Sequence, residues 1–290
     1  MQTETEPKVD LLACNKNFHV SLIASAVRTP LYQMFLNSLE GTSVRVEVIF
    51  VGHVTPDVVL HIPENVSFRY IKTGFIKPSQ CYEIARRAAS GEVIVWVADD
   101  CEFINDVLGK AYRFWKDLKD EKAILSIQTK EYYLTSNKSV DFNFCDMTLH
   151  SFYGGYPETP RMAPLGMISR EYFEKLGGID RRYVSGQYEN DVVMRAYRDG
   201  GCVVMFGDRQ TYIDIDHIGK QRIVQPGATI NDFYKRPFAL SYPHDRRILE
   251  TSWCGGEKQP ILPQRTDVFE PFEDEENLLL HSEGPRGIWK

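Results

Sequence analysis

Hydrophobic residues in the first half of the chain fall in four short runs dominated by aliphatic and aromatic side chains. The runs cover residues 18–25, 44–51, 66–71 and 91–97. The run at residues 91–97 has no polar alternation, which predicts a strand that is buried on both faces of a parallel sheet. The other three runs predict further strands, of which 44–51 is also buried. Between the strands, apolar residues recur every three or four positions, which predicts helices that cross over the sheet. The pattern indicates an α/β fold built from βαβ units.

Residues that commonly begin helices mark the starts of the predicted helices. They precede five segments of helical periodicity, at Thr29-Pro30, Pro78, Asn105, Ser169 and Glu189. Glycines follow several of these segments, as at Gly91 and Gly200-Gly201. An N-cap or proline at the start and a glycine at the end are the usual boundaries of a helix.

The second half of the chain is less regular. Further strands are predicted at residues 123–129 and 202–207. Residues 131–161 are rich in aromatic and turn-forming residues, so we expect a long irregular excursion over one face. Such an excursion is a common place for a substrate wall, and an ordinary packed connection fits the composition equally well. Residues 1–17 predict a loose arm, and residues 223–290 predict an extension with a partly disordered tail.

Composition narrows the class of partner and compartment. The 290 residues carry a net charge of −6 with both signs mixed along the chain, which argues against a nucleic-acid partner. No apolar run reaches the length of a membrane span, and the acidic, polar first residues do not form a signal peptide. The six cysteines lack CxxC spacing, which fits a reducing compartment. We therefore expect a cytoplasmic protein, with peripheral membrane association and oligomerisation left open.

Two adjacent carboxylates, Asp99 and Asp100, follow the fourth predicted strand. In open α/β sheets ligands bind beyond the carboxyl ends of the strands, so these side chains lie where a ligand is expected. Neighbouring carboxylates repel each other unless a cation or water separates them. A divalent metal that holds phosphate oxygens explains both the charge and the position. A solvated turn at the end of the strand is the alternative.

A second acidic cluster, Glu189-Asn190-Asp191, opens the last predicted helix. Acidic residues in a first turn favour the helix dipole, which is the structural explanation. A carboxylate fixed at a helix start could also accept a proton from an incoming hydroxyl. Further on, His217 follows the alternating acids Asp214 and Asp216. An imidazole in this setting is either a divalent metal ligand or a structural histidine.

Three blocks of sequence, in this order and spacing, resemble the inverting family 2 of the GT-A nucleotide-sugar glycosyltransferases. They are residues 18–28, residues 78–100, and residues 166–180 followed by 189–191. The resemblance implies a GT-A fold, in which helices flank a mostly parallel, Rossmann-like central sheet. The glycosyltransferase domain would cover residues 18–222, with a donor-binding half at about 18–130 and an acceptor half at about 131–222.

The resemblance also implies roles for individual residues. Asp100 and His217 would bind Mn²⁺ or Mg²⁺, and Asp191 would be the general base. The donor would contact the ends of the first two strands and the acid beside the metal, at Ser25, Ala26, Arg28, Gly52 and Asp99. The acceptor side would include Gly166, Glu189 and Asn190. Arg28, Arg170 and Lys220 are the basic residues expected near the diphosphate.

These roles together predict a metal-dependent inverting glycosyltransferase of the kind used in polysaccharide biosynthesis. It would move a sugar from a nucleoside-diphosphate sugar to a hydroxyl of a glycan or lipid-linked acceptor. The chain departs from the family pattern at Ala98, at Asn190 and at Gly52-His53. A non-catalytic nucleotide-sugar-binding protein is therefore one alternative. A sugar-phosphate nucleotidyltransferase is another, although residues 25–28 lack the glycines of a triphosphate-binding loop.

Overall fold

This computed structural model describes residues 17–135, 139–145, 161–224, 238–254 and 268–272. The strands are β1 (Val20–Ser25), β2 (Val46–Gly52), β3 (Val66–Lys72), β4 (Val93–Trp96), β5 (Cys101–Phe103), β6 (Ala123–Ile127), β7 (Thr129–Leu134), β8 (Val140–Cys145), β9 (Gly166–Ser169), β10 (Cys202–Phe206) and β11 (Ile213–Ile215). The helices are α1 (Tyr32–Asn37), α2 (Pro78–Ala88), α3 (Val107–Leu118), α4 (Arg170–Lys175), α5 (Tyr188–Arg198), α6 (His217–Val224) and α7 (Phe238–Cys254).

Seven of these strands form the central sheet, in the order β10-β6-β9-β4-β1-β2-β3. Parallel pairing joins β1 to β2 and β4, β2 to β3, and β6 to β10. Only β9 runs against its neighbours β4 and β6 within this sheet. The sheet is mostly parallel and flanked by helices, so the predicted α/β fold class is confirmed.

A smaller sheet has the order β5-β11-β7-β8 among the described residues. Its antiparallel hairpin pairs residues 129–134 of β7 with 140–145 of β8, largely within the stretch 131–161 where we expected irregular structure, so that expectation is wrong for this part. The strand period was visible in the sequence, because Val140, Phe142 and Phe144 alternate with polar residues. Most of the remaining excursion, residues 146–160, lies outside the described residues.

The central sheet separates two hydrophobic cores. On one face, α1 and α3 bury aromatic and aliphatic residues that include Tyr32, Phe35 and Trp115. On the other face, α2, α4, α5 and α7 pack around Trp96 and Phe173. Because β1, β2 and β4 are parallel, their carboxyl ends meet at one edge of the sheet. That edge carries the candidate site.

Helix starts follow the predicted positions with small shifts. Ser169 accepts a hydrogen bond from the Tyr172 amide at 3.3 Å and caps α4 as expected. The cap of α3 is Asp106 and not Asn105, since Asp106 Oδ1 accepts from the Gly109 amide at 3.2 Å. Thr29 is not the cap but the first residue of a single 3₁₀ turn ahead of α1; the N-cap is Arg28, whose side chain makes no capping bond.

The extension beyond residue 223 contains one element that sequence patterning missed. Residues Phe238–Cys254 form α7, which has Pro243 in its interior and buries Leu249 and Trp253 against the core beside α5. Proline and a mixed polar pattern hid this helix in the sequence. In the part of the chain that the structure describes, no helix has the length and apolar character needed to cross a lipid bilayer.

Candidate active site

The turn after β1 is bound to the carboxylate that follows β4. Asp99 is fully buried, and its Oδ2 accepts hydrogen bonds from the backbone amides of Val27 and Arg28 at 2.8 Å each. The Arg28 side chain donates from Nε to Asp99 Oδ1 at 2.6 Å. Asp99 therefore fixes the turn at the carboxyl edge of the sheet, and the predicted donor residues Arg28 and Asp99 do meet there.

Arg28 also joins the two adjacent carboxylates. Its Nη1 donates to Asp100 Oδ2 at 2.6 Å, while Nη2 pairs with Asp99. Burial acts to lower the pKa of Arg28, but the charges of Asp99 and Asp100 outweigh it and raise the pKa above the ordinary value. The planar guanidinium can bridge two carboxylates in this way because its donors form a rigid fork.

Asp100 lies against His217, as the resemblance implied. The distance between His217 Nδ1 and Asp100 Oδ2 is 2.5 Å. Burial acts to raise the pKa of Asp100, but His217, Arg28 and Lys220 outweigh it and hold the pKa below the usual range. The other oxygen, Oδ1, is buried and accepts no hydrogen bond from the described residues. A buried carboxylate oxygen without a donor is uncommon, and its lone pairs are free to bind a cation.

Lys220 adds a second cation at the same place. It lies on α6 in the turn after His217, donates from Nζ to the Asp100 carbonyl at 2.6 Å and pairs with Glu102 at 2.8 Å. Lys220 is thus near the carboxylates as predicted. Arg170 is not, because its Nε donates to the Gly91 carbonyl at the amino end of β4.

The ends of β1 and β2 approach each other closely beside this cluster. A Cβ on Gly52 would lie 2.0 Å from the Ala26 carbonyl oxygen, so only glycine fits there. The Ala26 amide donates to the Val51 carbonyl at 2.8 Å, which continues the pairing of the strands. Ser25 ends β1 beside them. The predicted donor residues therefore lie together along one edge.

The predicted acceptor residue Gly166 has a packing role in the structure. It begins β9 in the middle of the central sheet, and a Cβ there would lie 2.1 Å from the indole of Trp96. The Trp96 Nε1 donates to the Ala163 carbonyl at 3.1 Å just before this strand. Gly166 is needed because the indole occupies the space of a side chain. Its place on the acceptor side stays a prediction.

Asp191, the predicted base, is part of a buried ion pair. It is fully buried, and its Oδ2 accepts from Arg195 Nε at 2.8 Å on the next turn of α5. Its Oδ1 accepts from Trp253 Nε1 of α7 at 2.8 Å. Both carboxylate oxygens are thus occupied by the core between α5 and α7. A general base needs a free oxygen within reach of the substrate, so the structure argues against this role for Asp191.

Glu189 has the properties that Asp191 lacks. Its Oε2 is buried and has no hydrogen-bond partner among the described residues. Burial raises the pKa of Glu189, hydrogen bonds from the backbone amides of Glu189 and Gln187 partly offset the rise, and the charge of Asp245 adds to it, so that the pKa is about 7. The neighbouring Asn190 is engaged instead, since its Nδ2 donates to Gln187 Oε1 at 2.8 Å.

The start of α5 packs towards the strand that leads to the two carboxylates. The rings of Tyr188 and Tyr82 are 5.0 Å apart, and the Tyr82 hydroxyl donates to the Val97 carbonyl at 2.6 Å. Val97 precedes Asp99 by two positions. Sequence reasoning placed Glu189 on the acceptor side but missed its buried, unpartnered Oε2, because only the packing of α5 reveals it.

The carboxylate and imidazole of Asp100 and His217 fit a divalent cation. No group of three acidic, histidine or cysteine side chains in the described ranges is arranged to hold a metal on its own. Mg²⁺ commonly takes one or two protein ligands and completes its shell with substrate phosphates and water. The unpartnered Asp100 Oδ1 is the observation that supports this fit.

Comparison with known proteins supports the fold. No protein-family model matches the sequence, and no curated protein is significantly similar to it. S. aureus TarS residues 1–349 in complex with UDP is similar in structure with a TM-score of 0.50 at 15% identity, over 78% of this chain and 73% of that one. The UDP-GlcNAc complex gives a TM-score of 0.48 at 16% identity, over 75% of this chain and 64% of that one. The fold is that of the GT-A glycosyltransferases.

The chain spans less than two thirds of the TarS chain in the UDP-GlcNAc complex and 44% of the longer TarS structure. At these identities the likeness concerns the backbone architecture, since a fold hosts many functions. Substrate and chemistry must therefore be argued from the site itself.

Proposed function

We propose that this protein is an inverting glycosyltransferase that moves a sugar from a nucleoside-diphosphate sugar to an acceptor hydroxyl. The observation that carries the proposal is the pair of distinct carboxylate sites: Asp100 with an unpartnered oxygen beside His217, and Glu189 with a raised pKa near 7. The first suits a metal-bound diphosphate, and the second suits proton removal from the acceptor. TarS, which is similar in fold, binds UDP in the structure with a TM-score of 0.50, so uridine donors are our first choice.

The charges around Asp100 favour metal dependence. Three carboxylates, Asp99, Asp100 and Glu102, share two cations, Arg28 and Lys220. The positive charges of Arg28 and Lys220 are therefore already balanced by protein carboxylates. No positive charge would remain to balance the negative charge of a bound diphosphate. We propose that Mn²⁺ or Mg²⁺ binds at Asp100 and His217, where it would neutralise the charge that develops on the diphosphate leaving group.

We assign the role of general base to Glu189 in place of Asp191. A base works best when its pKa is close to the working pH, and the Glu189 pKa of about 7 meets this condition. Glu189 would take the proton of the acceptor hydroxyl while that oxygen attacks the anomeric carbon opposite the leaving diphosphate. One such displacement inverts the configuration of the sugar.

The turn after β1 weighs against the nucleotidyltransferase alternative. A triphosphate loop presents its backbone amides to the phosphates. Here the amides of Val27 and Arg28 both donate to Asp99. A non-catalytic binding protein is the remaining alternative. Turnover separates it from an enzyme, because a binding protein would bind the donor and release no nucleoside diphosphate.

Titration calorimetry tests the donor site. UDP, GDP, dTDP, ADP and CDP are titrated with Mn²⁺ and with EDTA into wild type, Asp100→Ala and Glu121→Gln, the last being an exposed control. We expect one nucleotide to bind with Mn²⁺, and at least tenfold weaker binding with EDTA or in Asp100→Ala. The control should match wild type. If no nucleotide binds in either condition, the glycosyltransferase proposal fails; metal-independent binding would refute the metal role alone.

A further inference from the structure

The C-terminal helix α7 reaches into the loop that precedes the proposed base. Asp245 on this helix is fully buried. Its carboxylate accepts hydrogen bonds from the backbone amides of Val184 at 2.9 Å, Ser185 at 2.8 Å and Gly186 at 2.9 Å. Three amides on one carboxylate form a strong, charge-assisted anchor. Asp245 therefore determines the path of the chain from residue 184 to residue 186.

The next residue has an unusual backbone conformation. Gln187 is buried and adopts a left-handed φ of 64°, although it is not a glycine. Such residues are strained and persist only where the surrounding structure fixes them. Asp245 holds the three preceding residues, and Asn190 donates to the Gln187 side chain from the other side. The strained residue leads directly into Tyr188 and Glu189 at the start of α5.

We infer that Asp245 is a positioning residue, which holds the turn at residues 184–187 so that the Glu189 carboxylate is placed for proton removal from the acceptor. This inference rests on the proposed function and deepens it. It also assigns a function to α7, which lies after residue 223, because this helix is then required for the active site.

Electrostatics supports the same connection. The charge of Asp245 raises the pKa of Glu189, in addition to the larger effect of burial. The ring of Tyr188, on the same helix as Glu189, packs against the ring of Tyr82 on α2. Asp245 thus acts on the base both through the backbone and through its charge.

The test compares two variants on the same helix. Asp245→Asn keeps the shape of the side chain but loses the charge and one acceptor oxygen. Trp253→Phe is the matched control, because it loses one hydrogen bond from α7 to α5, at Asp191, away from the loop. The assay is release of nucleoside diphosphate from UDP-, GDP- and dTDP-sugars with water as acceptor. Hydrogen exchange of the amides at 184–186 is followed in parallel.

We expect Asp245→Asn to lower kcat by about 10- to 100-fold, the loss that follows from misplacing a catalytic group by about 1 Å. UDP affinity should stay within about twofold, and amides 184–186 should exchange faster. Trp253→Phe should lose stability but keep kcat within about threefold. Equal loss of kcat in both variants, or none in Asp245→Asn, overturns the positioning role. A wild type that binds UDP without turnover overturns the proposed function and this inference with it.

Discussion

Replacing Glu189 with glutamine should make the protein more stable and catalytically inactive. The carboxylate is held in a site where burial disfavours its charged form, and its Oε2 lacks a donor. Glutamine keeps the size of the side chain, but it cannot ionise or take the proton of the acceptor hydroxyl. Gain of stability together with loss of activity is the expected signature of a functional group kept in an unfavourable environment.

The magnitude follows from the pKa. In the folded protein the pKa of Glu189 is about 7, against an ordinary value of 4.5. Between these pH values the folded protein retains a proton that the unfolded chain has lost, so wild-type stability falls as the pH rises through this window. The full difference corresponds to about 3 kcal/mol at pH 8 and above. At pH 5 most of that penalty is absent.

Urea denaturation of wild type and Glu189→Gln at pH 5 and pH 8 measures this effect. The advantage of the variant should grow by about 2–3 kcal/mol between the two pH values. In the same preparations, release of nucleoside diphosphate should fall by at least about 100-fold. Wild-type kcat should itself decrease as the pH falls below about 7, because the base becomes protonated.

Two results would refute the reasoning about Glu189. A stability difference that does not change between pH 5 and pH 8 would show that the carboxylate is not held neutral by the fold. A variant that retains most of the wild-type kcat would show that another group accepts the proton. Asp191→Asn serves as the comparison, since that carboxylate is committed to Arg195.

Three further predictions concern the neighbouring parts of the site. Asp191→Asn should lower the free energy of unfolding by about 3–5 kcal/mol, because Arg195 is then buried without its carboxylate partner. In the nucleoside diphosphate release assay, kcat per folded molecule should stay within about threefold of wild type. Arg28→Lys should weaken UDP binding in calorimetry about tenfold, because lysine cannot bridge two carboxylates, whereas Arg170→Lys should match wild type. Gly52→Ala should lower the free energy of unfolding in urea by about 1–3 kcal/mol and weaken UDP binding, because the new Cβ would collide with the Ala26 carbonyl. Unchanged binding would show that the close approach of β1 and β2 does not shape the donor site.

Much of the donor side could be predicted from the sequence because its signals are local. An apolar run that ends in Asp99-Asp100 fixes both a buried strand and the place where its carboxylates emerge. Residues of the first two strands join them for the same reason, since parallel strands end at a common edge. The pairing of Asp100 with His217 could be anticipated only through the family resemblance, because it joins distant parts of the chain.

The acceptor side was harder to predict because neighbouring residues on a short helical turn point in different directions. Glu189 and Asp191 are two positions apart, and only the contacts of Asp191 with Arg195 and Trp253 show that it faces the core. Trp253 lies on a helix that the sequence pattern concealed, so its hydrogen bond could not be foreseen. The contacts that hold Asp191 in the core therefore depend on long-range packing that the sequence does not display.

The position of β9 affects how the protein folds during synthesis and where it can be divided into fragments. β9 lies between β4 and β6 and pairs with both, although it follows them in the chain. A nascent chain that has emerged only to about residue 130 would present two unpaired strand edges, which invite aggregation. The sheet becomes continuous only after residue 169 is available. Fragments or chimeras divided between the two halves are therefore expected to be insoluble, and exchange of modules with a related protein must keep residues 93–169 together.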